Sequence, residues 1–280
     1  MRITKTRAEL RDTLNELDGT RALVMTMGAL HEGHLSLVRA AKEAADHVIV
    51  SIYVNPLQFA PGEDFEAYPR DLDADVALLD TVGVSVVFAP SDSEMYPHAP
   101  LVRIDPGPVA KVFEGKTRPT HFAGVLQVVH KVFNLVQPDV AFFGQKDAQQ
   151  LALIRTMVRD LDMPLEIRSV PIKREGDGLA MSSRNTYLTP NEHAQALALS
   201  RSLRAGERAA MNGADALESI DAARRELGAA DGVKIDYLTG VNPNTFEEIR
   251  DRSYTGPVLL AVAAWVGKTR LIDNLEVNVK

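Results

Sequence analysis

The first 174 residues alternate between short strand-like runs and longer stretches with helical periodicity. The runs at 22–26, 47–54, 84–89, 140–143 and 165–170 predict strands, and the stretches at 33–45, 71–81, 122–136 and 148–160 predict helices. Short, largely apolar strands separated by helices are typical of a parallel sheet that is covered on both faces. The sequence therefore predicts an α/β domain with a doubly wound parallel sheet over residues 1–174.

The pattern changes after residue 174. A polar stretch is followed by helical patterns at 192–211 and 215–227 and by strand-like runs at 233–238, 258–266 and 271–272. We interpret residues 175–280 as a second, smaller α+β domain, and we expect the ligand site between the two domains. Trp265 lies in an apolar run, so we expect its ring in the core.

Composition narrows the classes of function. The chain of 280 residues has a net charge of −7 and no cysteine, which excludes disulfides, thiolate nucleophiles and Cys-ligated metals. The acidic balance gives no general attraction to nucleic acid or to acidic membranes. The charged N-terminal stretch does not resemble a signal peptide, and no apolar run is long enough to span a membrane. We therefore expect a cytoplasmic protein.

A glycine-containing segment with two histidines joins the first predicted strand to the helix that follows it. Gly28 and Gly33 let the backbone approach a ligand closely, and the start of the helix presents N–H groups. His31 and His34 lie one helical turn apart, which suits a phosphoryl group that gains negative charge. The HExxH zincin motif, the GxGxxG fingerprint and the P-loop motif are all absent. Two ordinary surface histidines at a helix start are the alternative interpretation.

Polar residues also follow the second and fourth predicted strands. The amides of Asn55 and Gln58 suit a substrate that carries hydroxyl and carboxylate groups. Lys146 can neutralise phosphate charge, Asp147 can accept hydrogen bonds from ribose hydroxyls, and Gln150 lies one helical turn after Lys146. An Asn-Pro turn and a capped, solvated helix start are the respective alternatives.

The polar stretch between the predicted domains contains Ser182, Ser183 and Arg184 in succession. Two hydroxyls beside a guanidinium form a natural clamp for a triphosphate, and an ordinary polar loop is the alternative. Lys173, upstream in the same stretch, adds positive charge. The segment RPTHFAGV (118–125) precedes a predicted helix and is a candidate for part of the pocket wall.

These clusters together resemble one known family. The matching segments are MGALHEGH (27–34), NPLQF (55–59), YPR (68–70), RPTHFAGV (118–125), FFGQKDAQQL (142–151) and DGLAMSSRN (177–185). In this order they closely resemble the pantothenate synthetase family, whose His-x-Gly-His signature marks a broader nucleotidyltransferase superfamily. The resemblance runs over essentially the whole chain, although the last third carries few of these motifs.

The resemblance implies a Rossmann-like first domain, a second domain that closes as a lid, a homodimer, and the use of ATP with Mg²⁺. It also implies three sets of site residues. The implied catalytic residues are His34, His31 and Lys146. Pantoate is implied to bind Gln58 and Gln150, with Gln58 also meeting β-alanine. The implied ATP-binding residues are Met27, Gly28, Ala29, Leu30, His31, Glu32, Gly33, His34, Gly144, Gln145, Lys146, Asp147, Lys173, Met181, Ser182, Ser183 and Arg184.

The implied reaction condenses pantoate with β-alanine through a pantoyl adenylate and yields pantothenate, AMP and pyrophosphate. The pantoate carboxylate is already ionised at neutral pH, so the first step needs alignment and charge neutralisation, not a base. Two alternatives stay open: another His-x-Gly-His nucleotidyltransferase, and a non-catalytic nucleotide-binding regulator. Asp71, Asp73 and Asp75 are candidates for Mg²⁺, but a solvated helix N-terminus explains them equally well.

Overall fold

The computed structural model describes all 280 residues, which cluster into two compact units. The first unit comprises Met1–Gly144 and Leu153–Pro171, and the second comprises Gln145–Ala152 and Ile172–Lys280. The segment Gln145–Ala152 therefore groups with the second unit, although it lies before the predicted domain boundary at residue 174, which stays a prediction.

The first unit is built on a six-stranded sheet in which every paired strand is parallel. The strands are β1 (Arg2–Thr4), β2 (Arg21–Thr26), β3 (His47–Ile52), β4 (Val86–Phe88), β5 (Val140–Gly144) and β6 (Glu166–Val170). Their order is β1-β4-β3-β2-β5-β6. The chain moves outward from β2 through β3 to β4 and then returns to β5 on the other side of β2. This reversal defines a doubly wound sheet, so the predicted fold class is confirmed.

Helices and short 3-10 turns connect these strands. The helices are α1 (Arg7–Asn15), α2 (Glu32–Ala44), α3 (Leu72–Thr81), α4 (Asp92–Met95), α5 (Glu114–Thr117), α6 (His121–Val136) and α7 (Ala148–Asp160). Capping explains several of their starts: the side chain of Thr6 accepts from the backbone N–H of Glu9, and the side chain of Asp71 accepts from that of Ala74. Gly83, at φ +70°, follows the end of α3, where the sequence predicts a helix-ending glycine.

The core of the first unit lies where α2 and α3 cover β2, β3 and β4. Leu35, Val38 and Leu79 are at most 5% exposed and pack with Val24 and Val50 of the central strands. The apolar runs of the sequence are thus the buried centre of the sheet. This packing fixes the carboxyl ends of β2 and β5 side by side, because β2 pairs with β5 from Ala22 to Val24.

The second unit combines two long helices with an antiparallel sheet. It contains α8 (Pro190–Met211), α9 (Ala216–Gly228), β7 (Val233–Val241), β8 (Gly256–Val266) and β9 (Thr269–Val279), with the strands in the order β7-β8-β9. Thr189 begins α8 and Asp215 begins α9, each through a capping box. Leu199 and Leu203 of α8 and Leu260 of β8 are at most 1% exposed and form part of its core.

Two expectations for the second unit are wrong. Trp265 is 37% exposed and not part of the core, because its cross-strand partners at the end of the sheet are Lys234 and Arg270. Strand β9 is also much longer than the predicted run at 271–272, because it pairs with β8 along its whole length. Its polar residues interrupt the apolar pattern from which the strand was predicted. No helix of the chain combines the length and the apolar character that crossing a membrane requires.

Candidate active site

The loop after β2 adopts a backbone conformation that few sequences allow. Gly28 has φ +87° and Ala29 has φ +51°, so two successive residues occupy the left-handed region. That conformation costs an alanine free energy, so it persists only where the surroundings hold it. A Cβ atom at Gly28 would lie 2.9 Å from Oδ2 of Asp75, so glycine is required there for space as well as for conformation.

Asp75 of α3 supplies the constraint on this loop. Its carboxylate accepts from the backbone N–H of Ala29 at 3.0 Å through Oδ2 and from that of Leu30 at 2.7 Å through Oδ1. The residue is 4% exposed. Burial raises the pKa of Asp75 above its ordinary value, and the two backbone donors oppose that rise without cancelling it. The buried carboxylate therefore holds the backbone of the segment that leads to the histidines.

The two histidines fix each other at the start of α2. Nδ1 of His31 accepts from the backbone N–H of Gly33 at 3.1 Å, and Nδ1 of His34 accepts from that of His31 at 3.2 Å. The ring centroids lie 4.1 Å apart. Because each Nδ1 accepts a hydrogen bond, the proton of each neutral imidazole lies on Nε2. Both rings thus carry an N–H donor of the kind that stabilises developing phosphoryl charge.

Gln58 is held from several sides at the end of the 3-10 turn Pro56–Gln58. Its Oε1 accepts from Nδ2 of Asn55 at 3.2 Å, and its Nε2 donates to Sδ of Met27 at 3.1 Å. Asn55 is in turn anchored to the carbonyl of Gly124 at 3.0 Å and by the hydroxyl of Tyr96 at 3.1 Å. Gln58 is therefore a buried amide whose orientation is fixed by its neighbours.

The segment at 118–125 fixes the backbone of Gln58. Its carbonyl lies 3.0 Å from Nδ1 of His121 and accepts from Nη2 of Arg118 at 3.3 Å. Arg118 also forms a bidentate pair with Glu63 at 2.8 and 2.6 Å. Burial alone would raise the pKa of Glu63, but the guanidinium lowers it. A Cβ atom at Gly124 would lie 2.2 Å from the carbonyl oxygen of Leu57, so α6 packs directly on this turn.

In the second unit, Lys146 lies in the 3-10 turn Gln145–Asp147. The backbone carbonyls of Gln145 and Lys146 each accept from Nδ2 of Asn274 at 2.9 Å. Lys146 and Gln150 are half-buried, whereas Asp147 is exposed. At Gly144, the last residue of β5, an added Cβ would meet no atom within 4 Å, so the space beside it is open.

The stretch that contains Lys173 and Met181 is a tight hairpin within the second unit. Arg174 and Ala180 form an antiparallel bridge, and the N–H of Met181 donates to the carbonyl of Lys173 at 2.9 Å. The backbone of Lys173, which is implied to contact nucleotide, thus already shares its carbonyl with the hairpin. Gly178 turns the chain with φ +102°. The hairpin is a defined scaffold and not a loose linker.

Residues 182–185 continue this hairpin into a short 3-10 turn. Oγ of Ser182 accepts from the N–H of Arg184 at 3.3 Å and so caps the turn Ser183–Tyr187. Nδ2 of Asn185 donates to Oε1 of Glu175 at 2.6 Å and to the carbonyl of Ala180 at 3.1 Å. Ser182, Ser183 and Arg184 are all half-buried. The hydroxyls and the guanidinium are therefore held on one fixed turn.

The acidic residues of α3 do not form a metal site. Both oxygens of Asp75 are committed to backbone N–H groups, and Oδ1 of Asp71 caps the helix. The chain does bring Glu175, Asp177 and His193 together, with Nε2 of His193 at 2.7 Å from Asp177. That cluster is exposed enough to be an ordinary surface ion pair. Asp71, Asp73 and Asp75 thus form no cluster of ligand atoms close enough to hold Mg²⁺.

A cavity of about 350 Å³ lies in the first unit beside the strained loop. Met27, Gly28 and Asp75 form part of its wall, and Tyr53 donates to Oδ1 of Asp92 at 2.9 Å on another side. Its place beyond the carboxyl ends of β2, β3 and β4 is where doubly wound sheets bind ligands.

Sequence reasoning missed three supports of these segments. The sequence patterns indicate Asp75 only as a metal candidate, and they assign no role to the Arg118–Glu63 pair or to Asn274. One signal was available for Asp75: it lies four residues before Leu79, which is 0% exposed, and so falls on the apolar face of its helix. A charged residue at a core position calls for a buried partner.

In the first unit, Met27 lines the cavity and accepts a hydrogen bond from the buried amide of Gln58, and the two oriented imidazoles follow further along the same loop. The sequence matches the family Pantoate-beta-alanine ligase over residues 2–276. The chain belongs to this family.

Relatives of the pantoate–β-alanine ligase family support the assignment over nearly the full length. The pantothenate synthetase of Salinispora arenicola is 52% identical over 99% of this chain and 97% of the relative. That of Thermotoga neapolitana is 50% identical over 98% of this chain and 99% of the relative. The predicted family and the prediction of an enzyme are confirmed.

Solved structures of the ligase family have the same fold. A pantothenate synthetase from Thermus thermophilus superposes with a TM-score of 0.94 at 46% identity, covering 98% of this chain and 99% of that chain. A pantoate-beta-alanine ligase from Francisella tularensis, complexed with beta-gamma ATP and beta-alanine, gives a TM-score of 0.81 at 34% identity, covering 98% of this chain and 97% of that chain.

Proposed function

We propose that this protein condenses pantoate with β-alanine at the expense of ATP, giving pantothenate, AMP and pyrophosphate. The observation that carries the proposal is the family match over residues 2–276, together with relatives named pantothenate synthetase at about 50% identity. The Francisella tularensis relative with beta-gamma ATP and beta-alanine bound supports ATP and β-alanine as substrates.

In the first step, a carboxylate oxygen of pantoate forms a bond to the α-phosphorus of ATP, and the bond from that phosphorus to the bridging oxygen breaks. Pyrophosphate leaves with the electron pair, and pantoyl adenylate remains. Because no proton has to be removed, the demand is to neutralise charge and to align the reactants. The charge is neutralised by the Nε2–H groups of His31 and His34 and by the ammonium of Lys146.

The alignment of pantoate falls to amides. Gln58 is buried and held by Asn55 and by the backbone contacts from Arg118 and His121, so its carboxamide is preorganised. Gln150 is proposed to hold pantoate as well. Preorganisation matters here because a small misalignment of the attacking oxygen costs rate steeply.

In the second step, the amine of β-alanine, in its neutral form, attacks the acyl carbon of the adenylate. The new C–N bond replaces the bond from that carbon to the phosphate oxygen, AMP leaves, and the proton that the amine loses passes to the phosphate of the departing AMP. An acyl adenylate hydrolyses readily in water, so the site must exclude solvent. We propose that the second unit closes as a lid over the nucleotide, with Ser182, Ser183 and Arg184 on the phosphates.

Three further elements of the proposal rest on the family resemblance. Mg²⁺ would accompany ATP, bound mainly through phosphate oxygens and water. The protein would be a homodimer, which sedimentation equilibrium tests directly. It would act in the cytoplasm.

The deciding experiment incubates the protein with ATP, Mg²⁺, pantoate and β-alanine and follows AMP and pantothenate. AMP formation that depends on both pantoate and β-alanine supports the proposal. Release of pyrophosphate with a phosphate-bearing acceptor, and none with pantoate, would instead favour another His-x-Gly-His nucleotidyltransferase. ATP binding without turnover of any acceptor would favour a regulatory nucleotide-binding protein.

Single-residue variants test the assigned roles. We expect His34→Ala and Lys146→Ala each to lose about two or more orders of magnitude in kcat, the usual effect of removing one donor to developing charge. Near-normal turnover in either variant would remove that residue from the mechanism. His130→Ala is a control, because His130 lies on α6 near its exposed Asn134.

A further inference from the structure

Two adjacent buried polar residues of β9 each tie a different segment within the second unit. Asp273 is 3% exposed and Asn274 is 5% exposed. Polar side chains are rarely buried without a reason, because each must replace the hydrogen bonds that water would provide. Both find their partners in the segments implied to bind ATP, and not in the apolar core beneath the sheet.

Asn274 fixes the turn that carries Lys146. The two hydrogens of its Nδ2 go to the carbonyls of Gln145 and Lys146, both at 2.9 Å. Holding two successive carbonyls fixes the planes of the peptides that follow Gln145 and Lys146. The direction of the Cα–Cβ bond of Lys146 is thereby fixed as well, so the lysine side chain leaves the backbone along one defined line.

Asp273 fixes the hairpin that precedes the serine–arginine turn. Its carboxylate accepts from Nη1 of Arg174 at 2.6 Å and from Nη2 at 2.9 Å, and the same guanidinium donates to the carbonyl of Gly178 at 3.1 Å. Arg174 is also the first residue of the bridge to Ala180. The bidentate geometry restrains rotation of the guanidinium and so determines the orientation of the hairpin.

We propose that Asn274 and Asp273 are positioning residues of the ligase reaction. From β9, Asn274 holds the turn that carries Lys146, and Asp273 holds the hairpin that precedes residues 182–184. The proposal rests on the proposed function, since it gives the two ties a reaction to serve. It adds to the site a pair of residues from the last strand, a region where the sequence carries few motifs of the family.

A purely structural role would give a different result. If Asn274 merely stabilises the second unit, its loss lowers activity by the same factor whether or not Lys146 is present. If it acts through Lys146, its loss has little further effect once that lysine is gone. A double-mutant cycle between the two residues separates these cases.

The experiment measures kcat and KM for ATP in Asn274→Ala, in Lys146→Ala and in the double variant, with thermal unfolding to verify folding. We expect Asn274→Ala to lose about tenfold or more in kcat, and less than about threefold in the Lys146→Ala background. Asn278→Ala, the same change at an exposed position of β9, is the matched control and should be neutral. Equal losses in both backgrounds, or no loss in the single variant, would overturn the proposal.

A second measurement does not depend on turnover. Amide hydrogen exchange of Gln145, Lys146 and Asp147 should accelerate in Asn274→Ala and stay unchanged in Asn278→Ala, and unchanged exchange in both would overturn the tie itself. If Asn274→Ala fails to fold, Asn274→Asp keeps the shape but turns an acceptor toward the carbonyls, and the same changes are expected. A wild type that forms no pantothenate would overturn the proposed function, an outcome distinct from these.

Asp273 has its own test. Asp273→Asn keeps the shape but removes the charge that orients Arg174, so we expect KM for ATP to rise about tenfold with a smaller change in kcat. Asp236→Asn, which weakens the partly exposed ion pair with Arg270 in the same sheet, should leave KM unchanged. A KM for ATP that is equal in the two variants would exclude a positioning role for Asp273.

Discussion

The carboxylate of Asp75 accepts the backbone N–H of Leu30 at 2.7 Å, across 45 residues of chain. The same carboxylate accepts a second hydrogen bond, from the backbone N–H of Ala29, at 3.0 Å. Through these two contacts a residue on α3 determines the path of the loop that delivers His31 and His34. The path of the loop before the histidines is therefore set by the tertiary structure, whereas the two rings are oriented by hydrogen bonds within their own segment.

Asp75→Asn should impair turnover while the protein stays folded. The asparagine offers one acceptor in place of two and turns an NH₂ group toward a backbone donor, which leaves a buried N–H unsatisfied at a cost of about 1–3 kcal/mol. If that cost loosens the histidines, kcat should fall about tenfold or more, as steady-state assays would show. Asp71→Asn is the control, because asparagine caps a helix as well as aspartate does. Equal activity in the two variants would contradict the role of Asp75.

The pH dependence should carry the mark of Asp75. Burial raises its pKa above 3.8, and the ionised form is the one that accepts both backbone N–H groups. Activity should therefore fall, as pH falls, at a higher pH than for an ordinary aspartate. The pH profile of kcat/KM of the wild type, set against that of Asp75→Asn, checks this, since asparagine does not titrate. If kcat/KM of the wild type and of Asp75→Asn fell in the same way at acidic pH, Asp75 would not be the titrating group.

The raised pKa of Asp75 makes stability depend on pH in the opposite direction from activity. A raised pKa in the folded state means that the folded protein holds this proton more tightly than the unfolded chain does. The contribution of Asp75 to the free energy of unfolding is thus fully present below pH 3.8 and is lost as pH rises through the folded pKa. Urea unfolding across that window should show the wild type losing stability relative to Asp75→Asn as pH rises.

Gly28→Ala should lower activity more than conformational strain alone explains. Alanine at φ +87° is strained, and its Cβ would lie 2.9 Å from Oδ2 of Asp75. Gly62→Ala offers a matched control, because Gly62 has φ +89° with no atom within 4 Å of an added Cβ. Both variants should lose about 1 kcal/mol of stability from strain, and only Gly28→Ala should also lose turnover. Parallel losses of activity in the two variants would show that the contact with Asp75 is unimportant.

Arg118→Gln should weaken the use of pantoate. The change removes a donor to the carbonyl of Gln58 and leaves the carboxylate of Glu63 without its cation. We expect KM for pantoate to rise about tenfold, with little change in KM for ATP. Glu63→Gln loses the same ion pair but keeps the contact with Gln58. A similar KM for pantoate in both variants would place the effect in the ion pair and not in the positioning of Gln58.

The local patterns of the chain determined much of this structure by themselves. The strand and helix periods of residues 22–170 fix a parallel sheet, because apolar runs without a polar face can only be covered on both sides. The predicted strand at 22–26 and the helices at 71–81 and 148–160 agree with the observed elements to within one residue. Motif order was enough to indicate the family.

The tertiary structure decided what the local patterns could not. The exposure of Trp265 depends on its cross-strand partners Lys234 and Arg270, and those partners are set by register. The hydrogen bond between Asp75 and Leu30 spans 45 residues, and that between Asn274 and Lys146 spans 128 residues. Local sequence periodicity does not predict contacts between segments so far apart. A buried polar group shows in the sequence only as an interruption of an apolar face, and which backbone it serves is decided when distant segments pack together.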